Sequence, residues 1–582
     1  MQVELGREVG YRIRFDRKVN LATRLAFMTD RLLLNDLLRD PTLDRYGCII
    51  LDDAHERTLS TDMLMALLKE VCRKRPTLKL IVMSATLDVA KFQAYFDNAP
   101  LFQISGRTYP VDIMHLTEAT PHYINASLAA VETIHAKMPP GDILVFLPGE
   151  DEIESACTMY RDQMEDLEVL PLYSVLPFNQ QQAIFSKTSN RKCIVATNIA
   201  ETSITIDGIA YVVDAGLGKE MRYNARTRQE MMQLGEVSQA AALQRAGRAG
   251  RTQPGKCFRL YTKETFEKGM TKSSTPAILT CQLRSVILQI LFTDHTLKEL
   301  FEFDFIDRPG FETLLRGMGE LVEMGFIDTK GITNQGRTAV MFSIDPQWVY
   351  AITEARKCHS VLSMTTLAAI FGTQKSIFLR PHSHRHVADK AREQFEHPLS
   401  DHITHLNAVF AYVRMKKEGK ILPPQWCSDH FLDFRALEKV LQIRASLKKQ
   451  VESSLGLEEE DFRESVFGKE WEVNLRKSLA IGLFHHTAIR WRGKDMYRTT
   501  HQNTDALLHP NSALVSGNHE WVVYTRFVVS GKQYLETMTA IEPEWIADLS
   551  YFSEEKMPKK GTGELVQGFL KESLDKARAG RI

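Results

Sequence analysis

Leu51-Asp52-Asp53-Ala54-His55-Glu56-Arg57-Thr58 crowds two adjacent carboxylates, an imidazole and a guanidinium into one short stretch. It follows the apolar run Cys48-Ile49-Ile50-Leu51 and precedes a helical pattern. Acids at the C-terminal end of a parallel strand sit where α/β sheets bind ligands. Two of them suit Mg2+, a hard cation that takes oxygen ligands and keeps some of its waters. One acid can hold the metal while the other orients or activates a water. A solvated acidic loop is the other reading of the same residues. Ser84-Ala85-Thr86 also follows an apolar run, and two hydroxyls at a strand end can connect a nucleotide site to a moving neighbour. In Gln244-Arg245-Ala246-Gly247-Arg248-Ala249-Gly250-Arg251 the arginines recur every three residues and can share one helical face. The small neighbours let the backbone approach a ligand closely. Guanidiniums aimed at a triphosphate can contribute ~10³–10⁵ in rate. A basic solvated helix is the competing reading, although each Gly would cost it roughly 1 kcal/mol. Ala196-Thr197-Asn198-Ile199-Ala200-Glu201-Thr202-Ser203 offers hydroxyls and an amide for a sugar–phosphate backbone, or an N-capped helix start.

Positioning such groups requires strands that end where helices begin. Val9, Tyr11, Ile13 and Phe15 alternate with polar residues, as in a half-buried strand. Cys48 to Leu51 and Leu78 to Met83 read as strands covered on both faces, with Met63, Leu64, Leu67, Leu68 and Val71 at helical spacing between them. Ile143 to Leu147, Cys193 to Ala196 and Tyr211 to Val213 repeat the theme, which predicts α/β layers on parallel sheets. Beyond about residue 270 helices dominate. Apolar stripes at Leu283–Leu291 and Leu314–Val322, then a hairpin over 326–333, outline a winged helix. Residues 345–455 read as mostly helical, and from about 480 short strands suggest a small barrel. Trp521 to Tyr534 could stack bases, but alternating aromatics more often fill a barrel core. His382, His384 and His386 suggest a metal, or a solvated loop after Pro381.

The 582 residues predict about four domains at roughly 150 residues each. Lys plus Arg equals Asp plus Glu, 73 against 73, which excludes coating of nucleic acid by bulk charge and leaves room for a local basic groove. No run approaches the ~18 apolar residues of a membrane span. Met1 to Arg14 lacks an apolar signal core. None of the eight cysteines forms a CxxC pair, so free thiols in a reducing compartment are expected, cytosolic or nuclear.

Read in order, these residues resemble the DEAH-box family of superfamily 2 ATP-dependent RNA helicases: motif II at Asp52–His55, motif III at Ser84–Thr86, motif V at Ala196–Ser203 and motif VI at Gln244–Arg251. Thr29-Asp30 resembles motif Ib, and Gly106-Arg107-Thr108-Tyr109-Pro110-Val111 is similar to the family's inter-domain link. Thr275–Arg284, Trp426-Cys427, Phe431-Leu432 with Arg435-Ala436-Leu437, His509-Pro510, Ser512, Trp521–Tyr524 and Pro543 with Trp545 carry the likeness through the C-terminal half. The look is closest to the splicing and RNA-processing branch.

The resemblance implies an α/β fold with two tandem RecA-like parallel-sheet domains, the first incomplete, followed by winged-helix, helical ratchet and OB-fold domains. The expected divisions are 1–108, 109–270, 271–344, 345–467, 468–553 and a flexible tail at 554–582. It implies ATP and Mg2+ as cofactors. Asp52 would hold Mg2+ through water, Asp53 would orient the attacking water, and His55 would couple motif II to the second lobe. Gln244 would sit at the γ-phosphate, and Arg248 and Arg251 would be arginine fingers. Ser84 and Thr86 would couple nucleotide state to RNA grip. Thr29, Asp30, Thr197 and Asn198 would contact RNA. Single-stranded RNA is the expected partner, gripped by its backbone without sequence preference. A glycine-rich-patch activator or a spliceosomal or ribosomal RNP would join it. A monomer in the nucleus, present also in the cytoplasm, and no membrane association are expected.

Three departures qualify the likeness. No GxxxxGKS or GxxxxGKT occurs in the sequence, so the loop that cradles the β- and γ-phosphates is missing. An N-terminally truncated helicase is the expected explanation, with poor ATP binding and weak or no hydrolysis by this chain. A catalytically silent, RNA- or partner-binding pseudo-helicase is the alternative. Asp53 stands where the family usually has Glu, and a ~1 Å retraction can cost on the order of 10² in rate. Arg31 stands where motif Ib usually has Gly; a long cation there adds a phosphate contact or blocks a close backbone approach.

Overall fold

The computed structural model describes residues 3–580 apart from 14–15, 86–88, 105, 107–108, 175, 177, 187, 202–203, 226–228, 374, 382–383, 420, 465–467, 494, 554 and 557–563. Phe15, Thr86, Arg107, Thr108, Thr202, Ser203 and His382 therefore lie outside the described residues.

The first lobe is small. Strands β1 (Val9–Ile13), β2 (Asp16–Lys18) and β3 (Leu25–Met28) form one sheet in the order β2-β1-β3. Helix α1 (Asp30–Arg39) leads to β4 (Cys48–Leu51), α2 (Leu59–Lys74), β5 (Lys79–Val82) and α3 (Val89–Tyr95). β4 and β5 run parallel, with Cys48 opposite Lys79 and Leu51 opposite Val82. Alternation along a strand puts Ile49 and Leu51 into the core with α1 and α2. It turns Ile50 and Ile81 outward, exposed by 50% and 46%. The expectation that these two strands are covered on both faces is corrected. Among the described residues they pair only with each other.

The second lobe is a six-stranded parallel sheet. Its strands are β6 (Val111–Leu116), β7 (Asp142–Phe146), β8 (Glu168–Leu172), β9 (Lys192–Ala196), β10 (Ile209–Asp214) and, after the antiparallel hairpin β11 (Leu217–Asn224) and β12 (Gln229–Glu236), β13 (Gly255–Thr262). The spatial order is β6-β13-β10-β7-β9-β8. β9 and β10 are buried throughout, as befits central strands covered by layers on both faces. Helices α4 (Tyr123–Lys137) and α5 (Glu150–Gln163) cover one face. The short helix α6 (Phe178–Ala183) follows β8, and α7 (Gln239–Gly247) precedes β13. The turn after α7 lies over the other face, where Ala246 and Ala249 join the core of Ile194, Val212 and Cys257.

Helices α8 (Ala277–Thr280), α9 (Arg284–Phe292), α10 (Leu297–Glu302) and α11 (Phe311–Glu323) follow. They lead into the hairpin β14 (Ile327–Asp328) and β15 (Gly331–Ile332), the helix–helix–hairpin outline read from the sequence. Gly325, at φ +72°, makes the tight turn out of α11. A helical region runs from Pro346 to Gly482. The barrel closes in the order β16 (Thr487–Arg492), β17 (Met496–Thr499), β18 (Asp505–Leu508), β20 (Lys532–Ile541) and β19 (Trp521–Ser530). Trp521, Tyr524 and Phe527 are buried in its interior or against its neighbours.

Part of the segment expected to be a flexible tail is helical. Glu564–Ala579 is a helix whose Leu570, Leu574 and Ala577 are buried against the body of the protein. Ser573 accepts the Trp521 indole N–H at 2.9 Å, and Arg578 donates to the Ala547 and Phe552 carbonyls. The charged composition of the segment hid this apolar stripe.

One contiguous core holds residues of the first lobe together with the segment from α8 to the β14–β15 hairpin, the helical region and part of the barrel. The second lobe keeps its own cores on either side of its sheet. The molecule is thus a body built from both ends of the chain, with the six-stranded lobe set against it. Among the described residues no helix is long and apolar enough to cross a membrane, and all eight cysteines are free.

Candidate nucleotide cleft and nucleic-acid interface

The acidic loop begins where β4 ends. Ala54 N–H donates to the Met83 carbonyl and Met83 N–H to the Leu51 carbonyl, which locks the loop to the end of β5. Asp52 and Asp53 face solvent, with Asp52 Oδ1 accepting the Asp53 N–H at 3.0 Å. Asp53 adopts a left-handed backbone, φ 49°, which Asp tolerates better than most residues. Their remaining carboxylate oxygens are open to a hydrated cation. The pair fits water-mediated Mg2+ rather than an all-protein cage, and no cluster of three metal-ligating side chains occurs among the described residues.

His55 is enclosed, its side chain only 6% exposed. Its Nδ1 lies 3.3 Å from the Ala85 amide, beside Ser84, and 4.0 Å from Asp53 Oδ1. Its Nε2 meets the Gln244 side-chain amide of the second lobe at 2.6 Å. An amide carries both a donor and an acceptor, so Gln244 can satisfy Nε2 in either ring tautomer.

Sequence reasoning set Arg245, Arg248 and Arg251 on one helical face, and the structure separates them. α7 stops at Gly247 and the next residues tighten into a 3₁₀ turn, Arg248–Gly250. Arg245 is buried beneath the sheet ends, paired with Glu201 at 3.1 Å and Asp214 at 2.9 Å and stacked on Phe146. Arg248 donates to the backbone carbonyls of Ile204, at 2.8 Å, and Glu201, so it braces the turn after Asn198. Burial, then the neighbouring Arg251 charge, lowers its pKa to about 10, against the pull of Glu201 and of Asp53 across the cleft. Arg251 is exposed and donates to Thr205 Oγ1 at 2.7 Å. Gly250 serves the fold: a Cβ there would meet the Tyr109 carbonyl oxygen at 2.6 Å, so the close approach is to the chain's own strand entry.

Thr197 and Asn198 sit at the C-terminal end of β9, Asn198 exposed and Thr197 half-buried without a side-chain capping bond. Thr29 starts α1, again without a capping bond from its hydroxyl. Asp30 has a partner that the sequence did not reveal. The Thr61 hydroxyl donates to its Oδ2, and Thr61 shares a second hydrogen bond with Thr58, the N-cap of α2. Arg31 sits exposed in the first turn of α1, within range of the Asp345 charge at the start of the helical region. Two adjoining cavities of about 390 Å³ and 180 Å³ run between the helical region and the barrel. They are lined by aromatics and cations such as Trp348, Tyr524, Arg526, Arg380 and His509.

Residues 126–253 match the model of the helicase conserved C-terminal domain. Residues 475–551 match that of the oligonucleotide/oligosaccharide-binding (OB) fold. The first match covers the six-stranded lobe from α4 through Arg251 and includes Thr197, Asn198, Gln244 and Arg248. The second covers the barrel. A helicase C-terminal domain is a mark of the helicase and nucleoside triphosphatase class, whose members generally use an NTP with Mg2+. Its pairing with this OB fold, a nucleic-acid-binding module, is typical of DEAH/RHA helicases.

Proposed function

We propose that the chain belongs to a DEAH-type ATP-dependent RNA helicase or RNP remodeller, in which hydrolysis between the lobes drives movement along single-stranded RNA. The observation that carries this reading is the contact of His55 with Gln244. It joins the acidic loop to the helix before the arginine-rich turn, and Arg248 feels the charge of Asp53 across the gap. In that cleft Asp52 would hold Mg2+ through water, Asp53 would orient the attacking water, and Arg248 and Arg251 would face the triphosphate. ATP with Mg2+ supplies the anhydride bond to be broken and the charge that draws the lobes together. Ser84 and Thr86 pass the nucleotide state on, and Thr29, Thr197 and Asn198 hold the RNA backbone. Phosphate contacts position the strand without reading its sequence. The protein acts as a monomer on nuclear RNA, in splicing or a related processing step, with a glycine-rich-patch activator or an RNP as partner.

Asp53, one methylene shorter than the Glu usual in the family, supports a second reading, a chain that binds RNA without hydrolysing ATP effectively. Anisotropy of labelled single-stranded RNA and RNA-stimulated phosphate release separate the two. RNA binding with slow phosphate release that rises on adding RNA supports the enzyme. RNA binding with no stimulated release favours the second reading, and no RNA binding at all overturns both. Matched DNA strands decide whether the 2′-OH is read.

A further inference from the structure

Arg57 follows the acidic loop directly and is tied to a carboxylate far along the chain. Its Nε and Nη2 donate to Asp62 Oδ1 and Oδ2 at 2.7 and 3.0 Å, and Nη2 also donates to Asp307 Oδ2 at 2.6 Å. Asp307 lies between α10 and α11. The same carboxylate accepts two hydrogen bonds from Lys91 Nζ on α3, at 2.6 and 2.8 Å. The Arg57 carbonyl accepts the Ala277 N–H at 3.0 Å, so its main chain is pinned as well. Two cations face two carboxylates, and the set is neutral. The side chains of Arg57, Asp62 and Asp307 are 7%, 1% and 21% exposed, so water screens these pairs poorly. Burial works against the Asp307 charge, but the bonds from Lys91 and Arg57 hold its pKa below the usual carboxylate range.

Arg57 also has a left-handed backbone, φ 49°, where a bulky residue is strained and persists only if its surroundings over-determine it. Two residues earlier, His55 is held between Ala85 and Gln244. Ala85 in turn precedes the helix that carries Lys91. The His55 loop, through Arg57, and the helix that follows Ala85 in the chain, through Lys91, are thus bound to one oxygen pair. Asp304 nearby also binds the first lobe, through Lys69 at 2.8 Å, but its side chain is 53% exposed and it touches neither loop.

We propose that Asp307 is a positioning residue of the cleft: from the winged-helix region it clamps Arg57 and Lys91 at once, and so sets the pose in which His55 meets Gln244. The helical half of the molecule thereby acts on the nucleotide site through this carboxylate, beside the Ala277 amide that holds the Arg57 main chain. The functional meaning rests on the reading proposed above; the geometry does not. The test is NMR of the full chain with ¹³Cε1-labelled histidine, the His55 signal being assigned by its loss in His55→Gln. Asp307→Asn is expected to move that signal beyond its linewidth, Asp307→Glu to return it toward the wild-type position, and Asp304→Asn to leave it in place. An unmoved signal in Asp307→Asn overturns the proposal, as does equal movement in Asp304→Asn. Should Asp307→Asn fail to fold, Lys91→Met removes one arm while Arg57 keeps both carboxylates, and the signal must still move. The measurement uses neither RNA nor nucleotide, so its outcome is separate from whether the chain hydrolyses ATP.

Discussion

His55 Nε2 lies 2.6 Å from the side-chain amide nitrogen of Gln244, joining the loop after β4 to the helix before the arginine-rich turn. The two residues are 189 positions apart in the chain. A hydrogen bond of this kind contributes about 0.5–1.5 kcal/mol net. His55→Ala and Gln244→Ala should each speed hydrogen exchange of the 52–57 and 244–251 segments roughly 2- to 10-fold. The double substitution should do no more than either single one, because both remove the same bond. Additive effects would show that the two side chains act separately.

On the proposed reading Arg248 has two duties and Arg251 one. Arg248→Ala removes the brace on the Glu201 and Ile204 carbonyls as well as a charge facing Asp53, so it should weaken both RNA and nucleotide binding, each by about tenfold. Arg251→Ala should weaken only the nucleotide. Anisotropy with labelled RNA and with a fluorescent ATP analogue reads the two effects in parallel. Equal losses from both variants would contradict this division.

Asp30 is bound to Thr61, and a carboxylate beside an RNA phosphate is repulsive. Asp30→Asn keeps an acceptor for Thr61 and removes the charge, so RNA affinity should hold or rise. Asp30→Ala frees Thr61 and Thr58 and should loosen the start of α2. A marked loss of RNA binding in Asp30→Asn would assign the carboxylate a direct contact instead.

His402 is enclosed between the Thr539 and Thr525 hydroxyls, at 2.8 and 2.7 Å, where the helical region meets the barrel. Burial lowers its pKa to about 3, and that of His405, whose Nδ1–H donates to the Asp401 carbonyl, to about 4. Both are neutral when folded, whereas unfolding restores a value near 6.5, so the unfolded chain takes the protons. Stability should therefore fall as pH drops from about 6.5 toward 4, by up to about 1.4 kcal/mol per unit per histidine. Denaturation followed by barrel tryptophan fluorescence at several pH values reads the slope. His402→Gln should reduce it, and an unchanged slope would exclude His402 as the source.

Leu574 is fully buried beneath the barrel side of the molecule. Leu574→Ala should cost the last helix about 2–5 kcal/mol, seen as proteolysis after residue 563. Leu574→Met should be nearly silent.

The sheet strands were legible because Ile143–Leu147, Cys193–Ala196 and Tyr211–Val213 are apolar runs of strand length between helical patterns. The hairpin after Gly325 and the barrel strands were legible from turn residues and alternation. Long-range partners were not. Nothing local to Arg57 points to Asp307, 250 residues on, and Arg245 looks like its neighbours until Asp214 and Glu201 close around it. Charge spacing shows that guanidiniums are present, while burial decides which of them hold the fold together.

The outward face of β4 and β5 sets a practical limit on handling the protein. Ile50, Ile81 and Met83 meet water directly, beside backbone edges that no other strand pairs among the described residues. Surfaces of that kind recruit one another. Concentrated preparations should therefore scatter light increasingly with time, and a single Lys in place of Ile81 should keep them clear.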